Sequence, residues 1–202
     1  MNVDLGQLFR NIDSRIASNP GSTSQSLAQE LDVTMGAIER AVREVNGVSF
    51  REYRENKRLA RVLRILEEKR RALVAEGHGN NRAEPRMILP GATVSFLLRG
   101  RGIRNAGFSN SCPLFDLSRG GMAFLSDRPS RPGRKVSLLL NCTEIKEKLR
   151  LEGYIVYAVA TDMAGYQFRV GVRFMPFEAK RGCNAPEALH ILAQLEKTAT
   201  SL

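Results

Sequence analysis

Apolar residues recur every three or four positions through the first part of the chain, and then the period changes. Leu5, Leu8, Phe9, Ile12 and Ile16 open the pattern, followed by Leu27 and Leu31, by Ile38, Val42 and Val45, and by Leu59, Val62, Leu63 and Leu66. That spacing predicts amphipathic helices over residues 1–76, with breaks at "NPGSTS" (19–24), "LDVT" (31–34) and "NGVS" (46–49). From Phe50 one long helix is expected to run towards Glu76. "GHGNN" (77–81) has no apolar anchor and two glycines, so it reads as a linker. Beyond it the pattern turns strand-like in six segments: 92–99, 112–118, 121–126, 135–141, 149–160 and 166–175. Antiparallel strands in so short a span suggest a small barrel or sandwich. Residues 185–202 return to a helical pattern, with Pro186 near the start and Leu189, Leu192 and Leu195 on one face. The fold class is α+β in two domains: a helical domain over 1–76, a linker over 77–81 and a β domain over 82–202.

Charge changes this picture. The 202-residue chain carries a net charge of +10 and a pI near 10.1, which favours an anionic partner such as a nucleic acid, a nucleotide or an acidic surface. The balance is +2 over residues 1–81 and +8 over 82–202, so the anion preference lies mainly in the β half. Cys112, Cys142 and Cys183 lie too far apart for a zinc site and are odd in number for a disulfide framework. With only His78 and His190 besides, no metal site and no catalytic set are expected. The N-terminus lacks the apolar core of a signal peptide, and no apolar run approaches membrane-spanning length. The expectation is a soluble cytoplasmic protein with free thiols, no membrane partner and no cofactor.

Two short motifs carry chemistry. "RAEPR" (82–86) sets Arg82 and Arg86 four apart across Pro85, which disfavours a helix. "DLSRGG" (116–121) follows thirty residues later, with Asp116 and Ser118 two apart and facing the same way on an extended chain. A carboxylate accepts two donors at once, which matches the N1–H and N2–H edge of guanine. Ser118 can donate to or accept from a phosphate or base, and Gly121 permits close backbone approach or a sharp turn. Each arginine fork can bridge guanine O6 and N7, or a phosphate. The set suits a guanine nucleotide carrying phosphates. Taken singly, each motif also fits a bland reading, a turn with a solvated aspartate and two surface arginines. Together, RxxxR before the first strand and DxSxxG after the second resemble the PilZ domain. "RVGVRFM" (169–175) looks like that family's last strand. The resemblance implies a six-stranded antiparallel β-barrel with a C-terminal helix over roughly 80–202. It also implies cyclic di-GMP as ligand, bound by Arg82, Arg86, Asp116, Ser118 and Gly121. The loop 100–111, with Arg101 and Arg104, departs from the pattern in its length.

The helical half carries a second resemblance. "SLAQEL", a turn, and a helix opened by Thr34 as N-cap read as a helix-turn-helix. "GVSFREY" and the basic helix after it resemble the first half of an AraC-type module with its linker helix, Gly47, Phe50 and Tyr53 matching that pattern. The second helix-turn-helix of such a module does not follow. In this reading residues 35–45 enter the major groove, presenting Gly36, Ala37, Glu39, Arg40 and Arg43, with Arg40 on a base and Arg43 on a phosphate. The weak charge of this half is offset by nine Arg/Lys residues from Arg51 to Arg71, with Arg58 and Arg61 expected on phosphates. One such motif offers few contacts, so a homodimer on two half-sites is expected. The sequence thus points to a cyclic di-GMP-responsive, DNA-binding transcription regulator. The alternative is a cyclic di-GMP adaptor whose helical domain binds a protein.

Overall fold

The computed structural model describes residues 4–76, 86–98 and 107–200. Backbone contacts divide the chain into two compact units. The first runs to Arg64 and includes the turn Met163–Gly165; the second holds the remainder. The division falls within the long helix that begins at Phe50. The linker 77–81 lies outside the described residues.

The first unit is built from α1 (Leu5–Ser18), α2 (Ser24–Glu30), α3 (Met35–Asn46) and the start of α4 (Phe50–Glu76). Each start is capped by a short polar side chain that accepts otherwise orphaned amides. Asp4 accepts from Gly6 and Gln7, Thr23 forms a reciprocal box with Ser26, and Thr34 accepts from Ala37. Gly47 ends α3 with φ 70°, the left-handed geometry that releases the chain towards α4. Most of the helical stripe read from the sequence is the core, with Leu8, Ile12, Ile16, Leu27, Ile38 and Val42 buried together, but Val45, read in the same stripe, is 50 % exposed near the end of α3.

A polar cluster ties α1 to α4. The Tyr53 hydroxyl donates to Asp13 Oδ1, and Lys57 Nζ lies 2.6 Å from the same oxygen. The Lys57 ammonium also stands 5.4 Å from the centroid of the Tyr53 ring, which meets Phe9 edge-on at 5.5 Å. The hydrogen bond from Lys57, then that from Tyr53, holds the Asp13 carboxyl below its ordinary value of 3.8. Burial, and then the bond to Asp13, pushes the Tyr53 phenol well up.

The second unit contains a closed six-stranded barrel in the order β1-β2-β3-β6-β5-β4, every pair antiparallel. The strands are β1 (Thr93–Leu98), β2 (Cys112–Leu117), β3 (Gly121–Ser126), β4 (Lys135–Asn141), β5 (Leu149–Ala160) and β6 (Phe168–Phe174). β6 starts at Phe168, later than its apolar run, and a Thr161 N–H to Gln167 O bond of 2.9 Å closes the β5–β6 connection just before it. Inward positions alternate along the strands, as in Leu138 and Leu140, Leu149 and Leu151, Val170 and Val172. α5 (Pro186–Thr200) adds Ala188, Leu192 and Leu195 to the same core. Asn184, 3 % exposed, anchors the approach to it: Oδ1 accepts from Glu152 N–H, and Nδ2 donates to the carbonyls of Glu152 and Met175. No described helix is long and apolar enough to cross a membrane.

Two irregularities shape the outer face. β2 carries an extra residue between Leu114 and Asp116, and β5 carries one between Ile155 and Tyr157. Gly121 opens β3 directly against β6, where a Cβ would sit 2.3 Å from the Val172 carbonyl oxygen.

Two outcomes are expected. Because the folded Asp13 has a lowered pKa, its contribution is present above the ordinary carboxylate value and disappears as pH falls through the lower, folded one. Melting of the helical signal by circular dichroism from neutral to acid pH should show this loss, and Asp13→Asn should flatten it. Gly121→Ala must move backbone and should destabilise the chain by about 1–3 kcal/mol in urea unfolding.

Candidate functional site

The motif residues of the β domain meet at the start of β3. Met87 and Leu117 exchange backbone hydrogen bonds of 2.8 and 3.0 Å, an isolated antiparallel bridge. Both side chains point into the core. With a period of two, Arg86, Asp116 and Ser118 therefore share the outer face. Arg86 Nη1 donates to Asp116 Oδ2 at 2.8 Å. The pair is asymmetric: the Asp116 side chain is 11 % exposed and that of Arg86 40 %. Asp116 Oδ1 has no hydrogen-bond partner among the described residues, and one edge of the Arg86 fork stays open to solvent.

The bulge at Phe115 produces this orientation. Leu114 and Leu117 are both core residues though they lie three apart. One inserted residue restores the alternation between them and turns Asp116 outward.

Ser118 holds the turn that follows. Its N–H donates to Gly121 O at 2.8 Å, and its hydroxyl lies 3.3 Å from both Gly121 O and Gly120 N. Gly120 O in turn accepts from Phe174 N–H at 2.9 Å, tying the turn to the end of β6. Arg119, at the tip, is paired with Glu196 of α5 at 3.0 Å. Thus Asp116 presents an acceptor, whereas Ser118 and Gly121 set the backbone around it. Arg82 lies outside the described residues.

A groove of about 1020 Å³ opens over these residues, at the upper end of the usual range for small-molecule sites. Arg86, Asp116 and Ser118 line one side, and Tyr154, Val156 and Arg173 the other. Sequence reasoning had not singled out the second side. Alternation along β6 marks Arg173 as outward, since Val172 and Phe174 are core, but which residue of β5 stands beside it depends on register.

On the helical unit, Gly36, Arg40 and Arg43 of α3 are exposed, while Ala37 packs on the helical core. Glu39 is engaged: it pairs with Arg43 at 3.2 Å and accepts from Phe50 N–H at 3.2 Å, capping α4. The basic stretch of α4 requires a correction. Arg58, expected on a phosphate, is 2 % exposed and donates to the carbonyls of Ala164 and Gly165 at 3.3 and 2.8 Å. Arg54 reaches Ser22 O, Lys57 pairs with Asp13, and Arg61 donates to Ala17 O. Backbone carbonyls and the Asp13 carboxylate inside the unit take up part of the cationic side that charge counting assigned to an external anion. Among the described residues no cluster of His, Cys, Asp and Glu could hold a metal ion.

The family model of the PilZ domain matches residues 80–182. Among solved structures, the chain is similar to the PilZ domain with c-di-GMP of YcgR from Escherichia coli, at 15 % identity and TM-score 0.45, covering 60 % of this chain and 93 % of that one. It is similar to the inhibitor of motility MotI/DgrA from Bacillus subtilis, at 12 % identity and TM-score 0.42, covering 61 % and 53 %. It is also similar to the MrkH–c-di-GMP complex of K. pneumonia, at 13 % identity and TM-score 0.41, covering 59 % and 52 %. The chain therefore spans about half the length of the latter two. No curated protein sequence matches it. The match over 80–182 takes in half of the chain, including the barrel strands and both sequence motifs, and the chain belongs to the PilZ domain family.

Proposed function

We propose that this chain is a receptor for cyclic di-GMP, working in the cytoplasm without catalysis, and that its helical unit delivers the response. The observation that carries the reading is the Arg86–Asp116 pair at the lip of the groove. Asp116 offers a nearly buried carboxylate whose second oxygen is open, suited to the N1–H and N2–H donors of guanine. Arg86 offers a fork held at one nitrogen and open at its other edge, suited to a phosphate or to guanine O6 and N7. Arg82, four residues earlier, would supply a second fork. Ser118 and Gly121 would shape the turn and leave room for the ligand.

For the output, α2, the turn at Leu31–Thr34 and α3 support an AraC-like half-module acting on DNA as a homodimer, with Arg40 and Arg43 as its exposed cations. A second reading, an adaptor that binds a protein, is favoured by a specific observation. Much of the basic stretch of α4 is occupied within the unit, whereas Met35 and Val45 of α3 are 55 % and 50 % exposed. Cations already engaged within the unit are not free to meet a phosphate backbone, which leaves a protein surface as the other partner.

Titration calorimetry should show binding of cyclic di-GMP, with GTP and cyclic AMP far weaker. Arg82→Ala or Arg86→Ala should weaken it by about 2–4 kcal/mol, the usual loss of a charge-assisted contact. No heat at high ligand concentration would remove the receptor reading. Gel mobility of genomic fragments, with and without ligand, separates the two outputs. If DNA is bound, Arg40→Ala should relax sequence preference. Arg58→Ala should instead destabilise the chain by about 2–3 kcal/mol in urea unfolding, because it strands two carbonyls. A fall in DNA affinity with stability unchanged would contradict that structural role.

A further inference from the structure

The far wall of the groove combines an aromatic ring, apolar surface and a cation. Antiparallel register aligns Gly121 of β3, Arg173 of β6 and Tyr154 of β5 in one row across the barrel. Arg173 and Tyr154 face outward, since Val172, Phe174 and Ile155 beside them are core residues. Gly121 has no side chain, so the row is open at its β3 end and fills towards β5. Tyr154 is 42 % exposed, and the bulged Val156 beside it 46 %. Leu189 of α5, 37 % exposed, lines the same groove. Single exposed apolar residues are ordinary, but three lining one groove next to a cation make a patch suited to a flat, charged ligand. Arg173 is exposed and has no carboxylate partner among the described residues, whereas Arg119 across the groove is held by Glu196.

From this row we infer that Tyr154 and Arg173 form a second base subsite, in which one base of the ligand stacks on the Tyr154 ring and Arg173 meets its phosphate. The inference rests on the receptor reading and deepens it. Tyr154 lies two strands from Gly121, roughly 10 Å at ordinary strand spacing. A single base held at Asp116 would not cover that distance, while a second nucleoside joined through phosphate reaches it. Base stacking on an exposed aromatic tolerates any base, so this wall supplies affinity, and Asp116 on the near wall selects guanine. The two walls thus divide the work: a mononucleotide can use only one at a time, and a dinucleotide uses both.

The test uses the full chain and cyclic di-GMP. Tyr154→Ala and Arg173→Ala should each weaken binding by about ten- to one-hundred-fold, the range expected for loss of one stacked base or one charge-assisted contact. Tyr154→Phe should keep most of the affinity, because the ring and not the hydroxyl is used. The chain contains no tryptophan, so Tyr154→Trp places a single indole in the groove. Its emission should be quenched on saturation with ligand, a readout that a merely structural role would not move. Parent-like affinity in both alanine variants, or an unchanged indole signal in a variant that binds ligand, would overturn the second subsite and leave the receptor reading intact. Absence of binding in the parent chain would overturn both, and so tells the two failures apart.

Discussion

One inserted residue in β2 decides whether there is a site at all. Strict alternation from Leu114 would aim Asp116 into the barrel core, among Val94, Leu138 and Phe124. A lone carboxylate there would face a desolvation penalty far larger than any contact it could make. The bulge at Phe115 lets Leu114 and Leu117 both point inward and leaves Asp116 on the outer face. The Met87–Leu117 bridge then brings Arg86 to the same side, within 2.8 Å. Gly121 completes the arrangement, since any side chain there would push β3 away from the Val172 carbonyl. The lip of the groove follows from this local break in pairing, while its far wall rests on the separate pairing of β5 with β6.

The arginines show how far context governs a residue's use. Arg86 and Arg58 have the same fork. Arg86 is fixed at one nitrogen by a carboxylate and keeps its other edge towards solvent. Arg58 is enclosed, with its donors directed at two carbonyls and at Glu55. The first can exchange a partner for a ligand. The second cannot leave without exposing buried acceptors. Net charge is therefore a poor measure of what a surface can bind. The surplus of the helical half is small to begin with, and Asp13, Ala17 and Ser22 engage part of its cationic side.

Tyr53 illustrates a related point. In the sequence, the tyrosine of "GVSFREY" is read only as part of an AraC-type pattern. In the structure its ring packs in the helical core, against Phe9, and its hydroxyl finds Asp13 forty residues earlier. Nothing in the local pattern names that partner, because it lies on another helix. The same holds for Tyr154 beside Arg173, where one strand's alternation shows the direction of each side chain but not its neighbour.

What the sequence by itself determined is local and periodic. Helices capped at Asp4, Thr23 and Thr34, a stripe through Ile12, Ile38 and Val42, and six alternating strands follow from backbone sterics and burial acting over a few residues. The two motifs were legible for the same reason, since their spacing within each segment is short. Only the tertiary structure decided which cations are occupied, where the second wall of the groove lies and which way Asp116 points. Those depend on pairings between distant segments, and in a sheet a shift of one residue sends a side chain to the opposite face.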